Sequence, residues 1–381
     1  MPELPEVETV ARDLRRLVVG ATILGAAGDW PRAIASHASM AAFADGLVGR
    51  RIEAVGRRAK LVVVDLSGDV ALTIHLKMTG QLFVVPAGAP SDRHVHLALA
   101  LDDGRELRFR DIRKFGRVGL WPRDPLSGAV LDAEAGGELF AGHGPEPLEE
   151  AFTLRAFRER LRRRHGRLKP LLLDQAFIAG IGNIYADEAL WRARLHPLRR
   201  VASLRPSDEA SLYREFRAVL AEAIERRGSS IDDYTAPDGD GAMQERLVVY
   251  QRAGAPCVRC GRPIRRIVVG QRATHFCSWC QRLPAADRAG AAAPLATGRP
   301  PRGRGRRWVE LPGNGVLGRT PGESARAEAQ ARTQRTRTAA AKRRAAARAG
   351  LEAPVPTHAE APTDAEAPVT APASVPAPER R

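Results

Sequence analysis

Two groups of residues in this 381-residue chain have the types and spacing to do chemistry. The first is a pair of Cys-x-x-Cys units, Cys257-Val258-Arg259-Cys260 and Cys277-Ser278-Trp279-Cys280, separated by sixteen residues. That is the spacing of a four-thiolate zinc site. Four thiolates close the tetrahedron and leave no position for water, so the metal is structural. A unit of about forty residues is too small to build its own hydrophobic core, and zinc takes that role. Between the pairs, 264–269 and 274–277 read as the strands of a β-hairpin with Gly270, Gln271 and Arg272 at its tip. Arg259, Arg262, Arg265, Arg266, Arg272 and Arg282 surround it, which suits a hairpin pressed against phosphate.

The second group is at the N-terminus. An initiator Met before proline is normally removed, which leaves Pro2 with a free secondary amine. Such an amine can attack an aldehyde-level carbon and form an iminium, an electron sink that acidifies the neighbouring carbon and promotes elimination. Glu3 and Glu6 are close in sequence and can move protons.

These residues need elements to position them. Residues 6–18 place Val7, Val10, Ala11, Leu14 and Leu17 at helical spacing. Strand-like runs follow at 52–57, 61–66, 70–76, 81–85, 94–101, 106–111 and 117–121, with turn signals at Ser67-Gly68-Asp69 and Asp102-Asp103-Gly104. Many short strands with such turns predict a β-sandwich or barrel. The pattern then becomes helical. Ser207-Asp208-Glu209 opens a run with Leu212, Phe216, Val219, Leu220 and Ile224 on one face, and Arg226-Arg227-Gly228 closes it.

Sixty Lys and Arg against forty-four Asp and Glu give a net charge of +16, a surface suited to a polyanion. Hydrophobic residues make up 44%, which excludes fibrous and wholly disordered classes. No run approaches a membrane span, and the acidic start is unlike a signal peptide. A soluble intracellular protein is expected. The charge is uneven. Residues 299–350 carry fourteen basic residues against three acids, and 351–381 carry five acids against two arginines. After about Leu283 large apolar residues nearly vanish, so 284–381 is expected to be a disordered tail, basic and then Ala/Pro-rich and acidic.

Taken in order, several motifs resemble the formamidopyrimidine-DNA glycosylase family, base-excision repair enzymes related to endonuclease VIII. They are the start PELPEVETV, Arg58-Ala59-Lys60-Leu61, His75-Leu76-Lys77-Met78-Thr79-Gly80, Asp111-Ile112-Arg113-Lys114-Phe115-Gly116 and Gly144-Pro145-Glu146-Pro147-Leu148. Lys169-Pro170-Leu171-Leu172-Leu173-Asp174-Gln175, Gly180-Ile181-Gly182-Asn183-Ile184-Tyr185-Ala186-Asp187-Glu188 and Gln271-Arg272-Ala273-Thr274 follow. The resemblance covers about 1–283 and says nothing of the tail. It implies an α+β multidomain chain: a catalytic β-sandwich with an N-terminal helix at 1–135, and a helix–two-turn–helix domain at 148–230. A zinc hairpin at 240–283 and the disordered tail at 284–381 complete it.

The resemblance also assigns roles. Pro2 is the expected nucleophile at the sugar C1′, Glu3 the proton donor and Glu6 a supporting carboxylate. Lys60 is expected to assist β-elimination, and Arg272 to grip the phosphates flanking the lesion and assist δ-elimination. Extruding a base costs a few kcal/mol, and Met78, Arg113 and Phe115 resemble the residues that fill the gap. Without the motifs, Met78 and Phe115 would read as core. Asn183 and the amides opening the helix at 184–191 are expected to bind phosphate, with the glycines before them allowing close approach. Lys169 resembles a lysine near the lesion pocket, and Arg164 lies in a basic run where the family meets DNA. One structural zinc on Cys257, Cys260, Cys277 and Cys280 is implied.

The implied protein is a monomeric, cytoplasmic, bifunctional DNA glycosylase/AP lyase acting on oxidised purines in damaged double-stranded DNA, with no membrane partner. Two alternatives differ in kind. One is an endonuclease VIII-like enzyme for oxidised pyrimidines, whose relatives usually carry Gly where Leu4 stands here. The other is a non-catalytic zinc-hairpin DNA-binding protein, against which Pro2, Glu3 and Lys60 argue. The chain departs from the pattern at Asp92, where many members have the first histidine of His-x-His-Val. It departs again in the loop 235–243, which ends at Met243 where an aromatic is frequent.

Overall fold

In the computed structural model, residues 1–132, 134–230, 241–289, 291, 309–310 and 317–318 are described. The N-terminal helix α1 (Leu4–Val18) begins two residues earlier than its apolar periodicity indicates, because Pro5 suits a first turn. Eight strands follow: β1 (Ile23–Ala27), β2 (Ile52–Arg58), β3 (Leu61–Leu66), β4 (Val70–His75), β5 (Gly80–Pro86), β6 (Val95–Leu101), β7 (Arg105–Asp111) and β8 (Arg117–Pro122). They form two antiparallel four-stranded sheets, ordered β1-β6-β7-β5 and β2-β3-β4-β8. The expected β-sandwich is observed. The spacing gave no signal for β1 or for the short helix α2 (Met40–Asp45).

Period-two alternation supplies the interior. Leu97, Leu99 and Leu101 of β6 meet Leu107 and Phe109 of β7, while Val62, Val64, Leu72 and Ile74 come from the other sheet. Val7, Val10, Leu14 and Val18 of α1 join the same core. Three valines, 62–64, run together in β3 because its outer face is also covered: Val63 packs with Ala71, Trp121 and Val130.

The helical part contains α3 (Leu154–Arg162), α4 (Leu168–Leu173), α5 (Asn183–Arg192) and α6 (Pro206–Glu225) around a second core rich in Phe and Leu. Helix α5 is buried from Ile184 to Trp191, including Asp187 and Glu188. Two buried acids on one short helix require partners. Glu188 accepts the amides of Val248, Val249 and Tyr250, which fastens the zinc unit to the helices. Its carboxyl is nevertheless raised by burial, which those hydrogen bonds oppose.

In the zinc unit, β9 (Arg265–Val269) pairs with β10 (Arg272–Phe276), with Arg272 opposite Val269. The tip is therefore two residues, Gly270 and Gln271, both at positive φ as in a type I′ turn. Arg272 is the first residue of the strand and not part of the turn. Residues just past 283, expected in the disordered tail, are folded. Ala285–Asp287 form a helical turn, Asp287 is buried and accepts the Ser203 hydroxyl, and Ala291 packs with Leu198, Ile267, Val269 and Phe276. Small alanines and one paired acid look like linker by composition, and only their partners show otherwise. In a second unit, Val309–Glu310 pair antiparallel with Leu317–Gly318. The rest of the expected tail lies outside the described residues, as does the loop at 235–240. Met243, the end of that loop, is buried in the helical core.

Candidate active site and zinc hairpin

The N-terminal segment is zipped against the start of α5. Leu4 donates its amide to the Gly180 carbonyl at 3.0 Å, and Glu6 accepts the Glu3 amide at 2.9 Å. The Glu3 carboxylate reaches into the N-terminus of α5. There it accepts the amides of Gly182 (2.9 Å), Ile184 (2.8 Å) and Tyr185 (3.3 Å). A Cβ on Gly182 would stand 2.3 Å from the Glu3 carboxyl carbon, and one on Gly180, whose φ is +84°, would strike Leu4. This overturns the expectation that these amides and glycines serve a phosphate. The anion they were read as meeting is Glu3.

Pro2 is buried beside this carboxyl, and Glu3 itself is 2% exposed. Burial raises the Glu3 pKa to about 7, with Glu6 adding to the rise and Lys60 and two helix amides opposing it. Glu6 accepts the Tyr185 hydroxyl and the amide and hydroxyl of Ser229, linking α1 to the residues that follow α6.

Lys60 stands in the two-residue turn between β2 and β3, where Arg58 pairs with Leu61. Ala59 before it has φ 54°, an uncommon conformation for a residue with a Cβ. Glu146 holds the turn by accepting the Ala59 amide and pairing with Arg57 and Arg58. Lys60 is 8% exposed and its pKa is lowered by burial. Glu3 and Glu6 counter that effect, and Arg272 and Lys77 reinforce it. Glu3, Lys60 and Arg272 thus share one electrostatic environment, though nearly sixty residues and then over two hundred separate them in sequence. His75, which ends β4 opposite Leu61, is pushed down to about 3 by burial and by Lys77 and Lys60. It stays neutral, and its Nδ1 accepts the Lys77 amide.

Met78, Arg113 and Phe115 are not core residues. Met78 is 38% and Phe115 45% exposed, and the Arg113 guanidinium lies 4.8 Å from the centre of the Phe115 ring. Two neighbouring loops present them, and Asp111 organises both. Fully buried, it accepts the Thr79 hydroxyl and the amides of Arg113, Phe115 and Gly116. Thr79 in turn accepts the Arg113 amide. Asp111, Glu146, Asp187 and Tyr185 had been noticed only as letters within motifs. Asp111 and Glu146 satisfy backbone groups of turns, Asp187 accepts the His275 amide of β10, and Tyr185 donates to Glu6, pairings for which a single sequence carries no periodic signal.

The remaining candidates divide. Asn183 directs its side-chain N–H at the Ala273 carbonyl (2.9 Å). Lys169, expected near the lesion, is 0% exposed; its ammonium pairs with Asp187 at 2.5 Å and donates to the same Ala273 carbonyl at 3.1 Å. It faces the zinc hairpin from inside the protein, because only a buried carboxylate compensates a buried ammonium. Arg164 is 40% exposed and 3.8 Å from Asp174. At the point of departure, Asp92 pairs with Arg110 at 2.8 Å, so its charge is spent on the protein's own arginine.

The four cysteines converge. All four sulfurs lie within 4.8 Å of one another, with Cys257 to Cys280 at 3.9 Å and Cys260 to Cys277 at 3.4 Å. A tetrahedron with Zn–S bonds of about 2.3 Å has edges of about 3.8 Å, so the donor set fits one structural zinc. Arg262 and Arg282 lie over the two faces of Trp279 beside it.

A β-sandwich joined to helices and a four-cysteine hairpin, with a buried acid beside an N-terminal proline, defines a class of DNA glycosylases. Three family models match in order: the formamidopyrimidine-DNA glycosylase N-terminal domain over 1–118, its H2TH domain over 143–235, and the zinc finger found in FPG and IleRS over 254–283. A formamidopyrimidine-DNA glycosylase from Chloroflexus aurantiacus is 52% identical over 283 residues, covering 74% of this chain and 98% of that protein. One from Herpetosiphon aurantiacus is 47% identical, covering 74% and 100%. Among solved structures, Lactococcus lactis Fpg bound to DNA containing N7-benzyl-Fapy-dG has a TM-score of 0.67 at 37% identity, covering 74% and 100%. MutM (Fpg) from Thermus thermophilus scores 0.65 at 43%, with the same coverage. The chain belongs to the formamidopyrimidine-DNA glycosylase family. Among the described residues no helix is long and apolar enough to cross a membrane.

Proposed function

We propose that this chain is a monomeric, cytoplasmic DNA glycosylase/AP lyase of base excision repair that removes oxidised purines from duplex DNA. The observation that carries the reading is the Glu3 carboxyl. Buried beside Pro2 and close to Lys60, it holds a proton to about pH 7, where an ordinary glutamate would have lost it. With Met1 removed, the Pro2 nitrogen attacks C1′ and the bond from C1′ to the damaged base breaks. Glu3 supplies a proton to the opening deoxyribose, and the electron pair of the nitrogen forms the iminium. Loss of the C2′ proton then expels the 3′ phosphate (β-elimination), assisted by Lys60. Loss of the C4′ proton expels the 5′ phosphate (δ-elimination), assisted by Arg272. Water finally releases the sugar fragment from Pro2.

The other residues prepare the substrate. Met78, Arg113 and Phe115 enter the gap left by the extruded base, and Asn183 and Arg164 meet the backbone. The zinc supplies a crosslink that holds the hairpin carrying Arg272.

Borohydride reduces an iminium to a stable amine, so it should give a covalent protein–DNA band on duplex containing 8-oxoguanine. A form retaining Met1, or one acetylated at Pro2, should give none. Equal trapping by the Met1-retaining form would remove Pro2 as nucleophile. Stronger trapping on an oxidised pyrimidine would move the chain to the endonuclease VIII-like branch.

A further inference from the structure

The edge of β10 that β9 leaves unpaired is held by three side chains from the helices. The Ala273 carbonyl accepts from Lys169 Nζ at 3.1 Å and from Asn183 Nδ2 at 2.9 Å. Two residues on, the His275 amide donates to Asp187 Oδ2 at 2.8 Å, and the other oxygen of Asp187 holds Lys169 at 2.5 Å. Residues two apart on a strand direct their backbone groups to the same edge, so these bonds continue the hairpin's ladder with side chains in place of a third strand. Lys169 and Asp187 are fully buried, so the contact excludes water and neither charge has an alternative partner in solvent. The residue before Ala273 is Arg272, at the first position of β10. A one-residue lever joins the clamp to the guanidinium.

We propose that Lys169 is a positioning residue: paired with Asp187, it clamps the free edge of β10 to α4 and α5 and so sets where Arg272 stands. It acts through Arg272 and does not touch the lesion. This rests on the reading above that Arg272 assists δ-elimination, the step that takes the C4′ proton and breaks the C5′–O5′ bond. Loss of the clamp therefore changes the partition between β- and β,δ-products more than it changes release of the base.

The test is single-turnover cleavage of 8-oxoguanine duplex and of a pre-formed abasic duplex by full-length, zinc-loaded protein. The variants are Lys169→Met, Asp187→Asn, Arg272→Ala and the Lys169→Met/Arg272→Ala double variant. Lys169→Met should raise the β to β,δ product ratio at least fivefold, in the same direction as Arg272→Ala, while base release slows no more than about threefold. The double variant should match Arg272→Ala, since a misplaced guanidinium and a missing one are equivalent. Asp187→Asn keeps an acceptor for His275 and should give a smaller shift. It stands in for Lys169→Met if that variant fails to fold.

Amide exchange provides a readout independent of activity. His275 should be protected in the native protein and in Arg272→Ala, should exchange at least tenfold faster in Lys169→Met, and should exchange faster by a smaller factor in Asp187→Asn. An unchanged product ratio in Lys169→Met, with Arg272→Ala shifted, would overturn the clamp. So would an unprotected His275 amide in the native protein, or a loss of base release with normal cleavage at the abasic site. An unchanged ratio in Arg272→Ala would instead overturn the role given to Arg272.

Discussion

Glu3 shows how burial ties the proton of one side chain to the stability of the fold. Its pKa of about 7 means that the folded protein binds this proton more tightly than the unfolded chain, whose value is near 4.5. Folding is therefore favoured most below pH 4.5, and that contribution is lost as pH rises through about 7. At 1.36 kcal/mol per unit the loss is about 3 kcal/mol. Glu3→Gln cannot ionise. Thermal melts should show the variant gaining on the native protein between pH 5 and pH 8, by up to about that amount, while base excision is abolished. A stability gap that stays constant over this range would show that Glu3 has an ordinary pKa. On the function proposed above, this cost is retained because a proton held near neutrality is what the sugar needs.

The zinc hairpin is held from two sides. Its strands and knuckles pack through Cys257, Cys277, Ile264 and Val249 against Trp191 of α5, and its backbone hangs on Asp187 and Glu188. None of these contacts reaches the sandwich core, which has its own apolar cluster. Cys277→Ser removes a thiolate and with it the tetrahedral site. The variant should lose its zinc, misplace Arg272 and bind duplex DNA at least tenfold more weakly, while the β-rich far-ultraviolet signal of the sandwich persists. Zinc release measured with a chromogenic chelator and a DNA titration check this together. Native zinc content with native affinity would contradict it. The hairpin itself was legible from spacing, but its tip was read one residue too long. A Gly-Gln turn at positive φ closes in two residues, and composition does not distinguish that from three.

For the whole molecule, charge is the long-range quantity. Residues 299–350 carry +11, more than the +8 of everything before them. Each phosphate neutralised contributes about −0.9 to the slope of log affinity against log salt, so three or four contacts from this block steepen the slope by about three units. Truncation after Ala291 should flatten the slope by that amount and leave single-turnover chemistry nearly intact; removing only 351–381 should steepen it. Identical slopes for all three proteins would show an extension with no part in binding. The cut belongs after Ala291 because one after Leu283 would remove Asp287 and Ala291, together with the carbonyls of Asp287 and Ala289 that accept from Arg167.

The sequence alone determined what depends on local spacing: two Cys-x-x-Cys pairs, strands alternating with period two, a helix with an apolar face, and motifs in a family's order. It could not determine what depends on which distant groups meet. Glu3 and the amide of Gly182, 179 residues apart, form one bond, and that bond turned an expected phosphate site into the seat of a buried carboxyl. Lys169, legible only as a cation, became a buried clamp because folding brought Asp187 and Ala273 to it. Met78 and Phe115, apolar by composition, stand exposed because Asp111 holds their loops outward. Burial and hydrogen bonding belong to pairs of residues, and a pair exists only once the tertiary structure has formed it.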